Sequence, residues 1–94
     1  MTMDIYGQIA VKIIQGQETI IGPVAIEQAE RIDHLKLDWE HHEATIDGDK
    51  VSVIENLINA YKNLFGQISV EVSKQAAGSL MAQLPANAVP DILK

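Results

Sequence analysis

Three histidines and several carboxylates in the middle of the chain are the residues best suited to chemistry. His41 and His42 lie between Glu40 and Glu43, and His34 lies seven residues before His41. Imidazole and carboxylate groups are ligands of zinc, nickel, manganese and iron in proteins. These five residues therefore form a candidate site for a divalent transition metal.

The spacing of these ligands matches no compact metal motif such as H-E-x-x-H. Adjacent residues on a strand point to opposite faces, so His41 and His42 are poor co-ligands unless they lie in a loop. We therefore favour a solvated polar turn without a cofactor over a metal site. A third interpretation is a pH-sensing cluster, because imidazoles protonated below about pH 6.5 would offset the neighbouring carboxylates.

Other residues that could take part in catalysis lack the partners that catalysis needs. Asp47-Gly48-Asp49 is typical of a turn followed by a helix cap, and it lacks the glutamate that ends a calcium loop. Ser79 lacks the G-x-S-x-G surroundings of a nucleophile elbow, and the last half of the chain contains no histidine. We therefore predict a protein that is not an enzyme.

The net charge of the chain is concentrated between Glu27 and Glu55. This segment carries nine acids and three bases, a net charge of −6, which equals the charge of the whole protein. Nucleic-acid binding needs clustered lysines and arginines, and an anionic membrane would repel an acidic surface. We therefore expect the partners to be a protein with a basic patch, or another copy of the chain, rather than nucleic acid or a membrane.

Length and composition indicate one small domain. The chain has 94 residues, a hydrophobic fraction of 47% and only four aromatic side chains. A domain of this size buries a limited share of its unfolded surface, so its aliphatic excess favours burial against a second copy. We predict a homo-oligomer, such as a dimer, of a domain over residues 1–84, with residues 85–94 as a loosely held tail.

The sequence also predicts a cytoplasmic location. Cysteine is absent, which removes disulfides and thiolate metal sites. The first residues lack the basic region and apolar run of a secretory signal. No apolar stretch reaches the ~18–20 residues that span a bilayer, because Lys12 and Glu18 interrupt the longest candidate.

Two helices are predicted before the acidic segment. Apolar residues at i, i+3 and i+4 indicate a helix over Asp4–Gln15, which Gly16 would end. A shorter helix over Pro23–Arg31 follows, because proline suits the first turn of a helix. Its apolar stripe is formed by Val24, Ala25, Ala29 and Ile32.

Two more helices are predicted after it. A broad apolar face predicts a helix over Lys50–Phe65, with Asp49 as its N-cap and Gly66 after its last residue. A fourth helix is predicted over Gln67–Leu84. Its apolar stripe is formed by Ile68, Val72, Ala76, Leu80 and Leu84, and Ala77 and Met81 widen that face. Residues 50–53 and 68–72 also fit strands, and the fourth helix could pack within its own chain or exchange into a neighbour.

Between the second and third helices the apolar period changes from helical to alternating. Leu35, Leu37 and Trp39 alternate with charged residues and predict a strand, and Ala44–Ile46 predicts its partner across the Glu40–Glu43 turn. The fold predicted is α+β, with four helices and one short antiparallel β-hairpin between the second and third.

The apolar faces give a predicted core and a predicted interface. We expect burial of Ile9, Ile13, Ile54, Leu57, Ile58, Tyr61 and Leu64. The candidate interface residues are Ile9, Ile13, Trp39, Tyr61 and Phe65. Trp39 itself is interpreted as a core anchor, with an exposed interface residue as the alternative.

These observations favour a small acidic regulatory or adaptor protein that is not catalytic and self-associates through aliphatic helix faces. The first alternative is a metal- or small-ligand-binding protein that uses the histidines and carboxylates. The second is a winged-helix-like DNA-binding regulator, because two helices precede a hairpin. The acids of its recognition helix, Pro23–Arg31, would oppose binding to phosphate.

Overall fold

The computed structural model describes residues 4–90 and residue 93. These residues form four helices and one two-stranded antiparallel sheet, and the hairpin lies between the second and third helices. The α+β fold and the position of the hairpin predicted from the sequence are thus confirmed. In chain order the elements are α1 (Ile5–Ile21), α2 (Val24–Glu30), β1 (Leu35–Asp38), β2 (Glu43–Ile46), α3 (Lys50–Phe65) and α4 (Gln67–Met81).

Helix α1 is longer than its sequence pattern predicted, and Gly16 does not end it. A Cβ atom on Gly16 would lie 3.1 Å from the Cβ atom of Ala76 in α4, so the glycine allows the two helices to approach closely. The helix ends instead at Gly22, which has a φ of 72° and whose amide donates to the Glu18 carbonyl. Pro23 then prevents the helix from continuing.

The hairpin places its apolar residues on the side of the helices. Leu35 pairs with Ile46 and Leu37 pairs with Ala44, and all but the half-buried Leu37 are buried. Strand β1 ends at Asp38, one residue earlier than predicted, because residues 39–41 form a 3₁₀ turn.

Helix α3 has the bounds predicted from the sequence. Asp49 caps its first turn by accepting a 3.4 Å hydrogen bond from the Ser52 backbone amide, and it also accepts a 3.0 Å bond from the Ser52 hydroxyl. Its end is set by Gly66, which has a φ of 83° and is the single residue between α3 and α4. Residues 50–53 and 68–72 are helical, so the strand alternatives for both segments are wrong.

The core includes residues of all four helices and both strands, and most of its predicted members are confirmed. Six of the seven expected residues are fully buried: Ile9, Ile13, Ile54, Leu57, Ile58 and Tyr61. Leu64 is 53% exposed, so its predicted burial is wrong. It lies in the last turn of α3, immediately before the bend at Gly66.

Helix α4 packs on its own chain with a face that overlaps the predicted one in part. Its buried residues are Ser69, Val70, Ser73 and Ala77. Ile68, the first residue of the predicted stripe, is 62% exposed. The other four residues of the stripe are half-buried, and Leu80 and Leu84 pack against the core, so the predicted burial is wrong only at Ile68. The fully buried face is shifted toward two serines, because the Gln17 side chain of α1 donates to the Ser69 carbonyl and the Ser73 hydroxyl there.

The residues that follow α4 contact the helices. The Tyr6 hydroxyl donates a 3.1 Å hydrogen bond to the Ala88 carbonyl, and both Pro90 and Leu93 are buried. The segment predicted to be a loosely held tail thus contributes side chains to the packing at residues 90 and 93. Over residues 4–90 and 93, no helix has the length and apolar character needed to cross a membrane.

Candidate functional site

Among residues 4–90 and 93, five large apolar side chains are exposed, and all five lie close to two turns. They flank the Gly22–Pro23 turn between α1 and α2 and the Gly66 bend between α3 and α4. We call this set the apolar end: Ile20, Val24, Leu64, Phe65 and Ile68.

Two buried hydrogen bonds bring the two turns to the same end of the molecule. The Gln17 amide in α1 donates to the Ser69 carbonyl in α4 at 2.8 Å, which places the end of α1 beside the start of α4. The Tyr61 hydroxyl in α3 donates to the Ala25 carbonyl in α2 at 2.6 Å, which places the end of α3 beside the start of α2. The apolar end is therefore a product of tertiary structure and not of one sequence stripe.

The contact between α1 and α4 is polar at its centre. The Gln17 amide also lies 3.2 Å from the Ser73 hydroxyl, and that hydroxyl donates to the Ser69 carbonyl at 2.8 Å. All three residues are buried. Buried polar groups that pair in this way fix one relative position of two helices, because any slip would leave them unpaired.

A shallow open groove runs between α1 and α4 and adjoins the apolar end. It shares Ile20 with that end, and its walls are formed by Gly16, Thr19, Ile20, Val72, Gln75 and Ala76. The groove contains no charged side chain, so it extends the neutral, mainly apolar character of this part of the surface.

The acidic segment has the opposite character. Eight of its nine acidic residues are exposed, and the ninth, Glu55, is half-buried: the exposed ones are Glu27, Glu30, Asp33, Asp38, Glu40, Glu43, Asp47 and Asp49. The carboxylates therefore face solvent rather than an enclosed cavity. An exposed acidic surface of this kind attracts cations and basic proteins by long-range electrostatics.

The three histidines have separate surroundings. The His41 Nδ1 atom lies 2.8 Å from the Asp38 carboxylate, which raises the pKa of His41 above its ordinary value. The His42 ring meets the Trp39 ring edge to face, with centroids 5.0 Å apart. His34 lies beside Gly48 at the other end of the hairpin, where a Cβ atom on the glycine would meet the imidazole Cγ atom at 3.4 Å.

The structure thus does not bring the predicted metal ligands together. Glu40 lies within the 3₁₀ turn and Glu43 begins β2, and both are exposed. His41 contacts Asp38, whereas His42 contacts Trp39. Across the described part of the chain, no group of three or more histidine, aspartate or glutamate side chains is placed to hold a metal ion.

The predicted interface residues separate into two groups. Ile9, Ile13 and Tyr61 are fully buried within the chain, so in this fold they offer no surface to a partner. Trp39 is half-buried against the core, and Phe65 belongs to the apolar end.

Sequence reasoning missed Ile20, Val24 and Ile68 as surface residues. Ile20 lay outside the predicted first helix, and the other two were assigned to buried helix faces. Gly22-Pro23 could have indicated the true end of α1, because a proline after a glycine ends a helix more reliably than the single glycine Gly16. A first helix that reaches Gly22 includes Ile20.

Helix α2, the candidate recognition helix of the winged-helix alternative, presents few basic groups. It is short, its two alanines Ala25 and Ala29 are buried, and its exposed residues include Glu27 and Glu30.

Comparison of the chain with protein-family models, with curated proteins and with solved structures finds no match.

Proposed function

We propose that this chain is a small, non-catalytic adaptor protein that binds a second copy of itself through the apolar end. Its acidic segment, Glu27–Glu55, would then bind a protein with a basic patch. The observation that carries the proposal is that the five large hydrophobic residues exposed in the described part of the chain lie together at one end. Exposed apolar side chains gathered in this way are typical of interaction surfaces.

The distribution of charge supports a second copy as the partner of the apolar end. Every residue of that end lies outside Glu27–Glu55, in flanks whose four acids and four bases sum to zero. Two copies each carry a charge of −6, and they repel each other least where their neutral flanks meet. A two-fold symmetric contact would place the same apolar residues of both copies together.

The experiment is sedimentation velocity over a concentration series. Ile68→Lys adds a charge to the most exposed residue of the apolar end, and we expect it to weaken self-association at least tenfold. Asn56→Lys adds the same charge to an exposed position on α3 outside the apolar end and should leave self-association unchanged. A wild-type chain that stays monomeric at tens of micromolar would overturn this part of the proposal.

The acidic segment supports the second part of the proposal. Eight of its nine carboxylates are exposed to solvent. Among the described ion pairs, only one involves an acid of this segment, the pair of Asp38 with His41. A surface of this sign and exposure is suited to salt-sensitive association with lysine- and arginine-rich partners.

An oligolysine peptide serves as the probe of this second part. We expect binding that weakens as salt increases and that the double variant Glu40→Gln/Glu43→Gln reduces. The matched control, Glu18→Gln/Glu71→Gln, removes two acids outside the segment. An equal reduction in both double variants would mean that net charge alone attracts the peptide, and the proposed site would be wrong.

A further inference from the structure

We propose that two copies associate by exchanging α4, with Gly66 as the hinge. In the exchanged dimer, α3 and α4 of each chain would form one continuous helix, and each α4 would pack on α1 of the other copy. This inference rests on the proposed self-association and specifies its form.

The hinge consists of one residue whose conformation only glycine adopts readily. Gly66 has φ 83° and ψ −169°, and it alone separates α3 from α4. Its amide still donates to the Lys62 carbonyl, as it would inside a helix, whereas the Ser69 amide donates to the Gly66 carbonyl rather than four residues back. Rotation at this one residue therefore suffices to join the two helices, and short hinges favour exchange of elements between copies.

The apolar pattern of α3 continues across the hinge. Phe65 lies four residues after Tyr61, and Ile68 lies seven residues after it, so a straight helix would place all three on one face. In the bent form Tyr61 is fully buried, whereas Leu64, Phe65 and Ile68 are exposed. A continuous helix would thus align the three exposed residues with the buried face of α3, where the hinge segments of two copies could cover them.

The contacts that hold α4 can re-form between copies. The Gln17 hydrogen bonds to Ser69 and Ser73 and the close approach of Gly16 to Ala76 all join α1 to α4. An α4 from a second copy would satisfy the same buried amide with the same two serines. Exchange therefore conserves the polar contacts of the bent form and adds burial at the hinge.

The turn between α1 and α2 provides a matched comparison. Gly22 also has a positive φ of 72°, and a Cβ atom would meet no other group there or at Gly66. Alanine at either position is strained by similar amounts in the bent form. Only at Gly66 can the strain be relieved by a continuous helix, because Pro23 follows Gly22 and blocks continuation.

The test compares Gly66→Ala with Gly22→Ala by size-exclusion chromatography with light scattering. We expect Gly66→Ala to increase the dimer fraction several-fold and Gly22→Ala to leave it unchanged. Gly78→Ala, a change inside α4 with open space around the added methyl group, controls for helix propensity and should also leave it unchanged. An equal dimer fraction in all three variants would overturn the exchange.

If Gly66→Ala does not fold, a distance measured between two spin labels on a chain with the wild-type Gly66 tests the exchange. Spin labels at Asn56→Cys and Gln75→Cys in one chain, diluted with unlabelled chain, would lie about 28 Å apart along a straight helix and closer in the bent form. We expect the longer distance in the dimer fraction. A dimer with only the shorter distance would overturn the exchange and leave self-association intact, whereas a wild-type chain without any dimer would overturn self-association itself.

Discussion

The hydroxyl of Tyr61 in α3 donates a 2.6 Å hydrogen bond to the carbonyl of Ala25 in α2. Both residues are fully buried, so this bond joins two helices inside the core. It also fixes the start of α2, which carries Val24, against the last turns of α3, which carry Phe65.

Replacing Tyr61 by Phe tests the energetic weight of this bond. The Ala25 carbonyl lies in α2, where it can also accept a hydrogen bond from the backbone amide four residues later. The change should therefore not leave a buried acceptor unpaired. We expect Tyr61→Phe to lower the free energy of unfolding by about 0.5–1.5 kcal/mol, as measured by chemical denaturation. A loss above about 3 kcal/mol would show that the hydroxyl holds more than this one contact.

Alkaline pH should reduce the stability that Tyr61 contributes to the fold. Burial raises the pKa of the Tyr61 hydroxyl, so the folded state disfavours its ionised form. The stability it contributes is present below the pKa of an unfolded tyrosine, about 10, and is lost as pH rises above that value. We expect the stability difference between wild type and Tyr61→Phe to shrink above about pH 10. The phenylalanine variant controls for lysine titration, and a constant difference up to pH 11 would contradict the prediction.

The contrast between Ile58 and Leu64 tests the core of α3. Ile58 is fully buried, and truncation to alanine removes packed methyl groups and leaves a cavity. We expect Ile58→Ala to cost about 2–5 kcal/mol. Leu64→Ala, on the same helix but largely exposed, should cost about 0.5 kcal/mol or less in the monomer. Chemical denaturation measures both losses. Equal losses in the free energy of unfolding for the two variants would mean that the assigned buried face is wrong.

The pair formed by Asp38 and His41 makes a prediction for NMR titration. The hydrogen bond and charge of Asp38 raise the pKa of His41, so Asp38→Asn should lower it. The raised pKa adds stability that is present at low pH and is lost as pH rises through the folded-state pKa. Because both side chains are largely exposed, the effect on stability should be small. Asp47→Asn removes a charge outside this contact and should move the His41 pKa less; equal shifts would contradict the assigned cause.

The first turn of α1 makes a prediction for acid pH. Asp4 accepts a 2.8 Å hydrogen bond from the Gly7 amide and pairs with Lys50, and the Lys50 bond is the main reason that the pKa of Asp4 is lowered. The stability it adds is present above its ordinary pKa of 3.8 and is lost as pH falls below that value. We expect Asp4→Ala to cost about 0.5–2 kcal/mol near pH 7, measured by thermal denaturation. Asp4→Asn retains a cap and should cost less; equal losses would assign the effect to Lys50 rather than to the cap.

Helix α3 could be predicted to the residue because three independent local signals agree. A broad apolar face, an N-terminal aspartate and a C-terminal glycine all specify the same bounds, Lys50–Phe65. The end of α1 could not be placed from local signals, since a glycine can either end a helix or permit close packing. Gly16 does the second, and only its neighbour Ala76 in α4 shows this.

The buried face of α4 and the apolar end were beyond the reach of periodicity. The Ser69 carbonyl and the Ser73 hydroxyl are buried beside Gln17, whose side-chain amide, more than fifty residues earlier in the chain, donates to both. Likewise, Ile20 and Ile68 belong to one surface only because α1 and α4 are packed together. Hydrophobic patterns indicate which residues prefer burial, but here a hydrogen bond between distant residues also determines which face of the helix is buried.

The edge-to-face contact between Trp39 and His42 gives the hairpin its own optical reporter. Trp39 is the only tryptophan in the chain, so its fluorescence arises solely from this corner of the molecule. Emission will change when a ligand or a partner disturbs the loop, and it will stay constant when events are confined to the helix bend at residue 66. A fluorimeter can therefore distinguish occupancy of the hairpin from dimer formation without any dye.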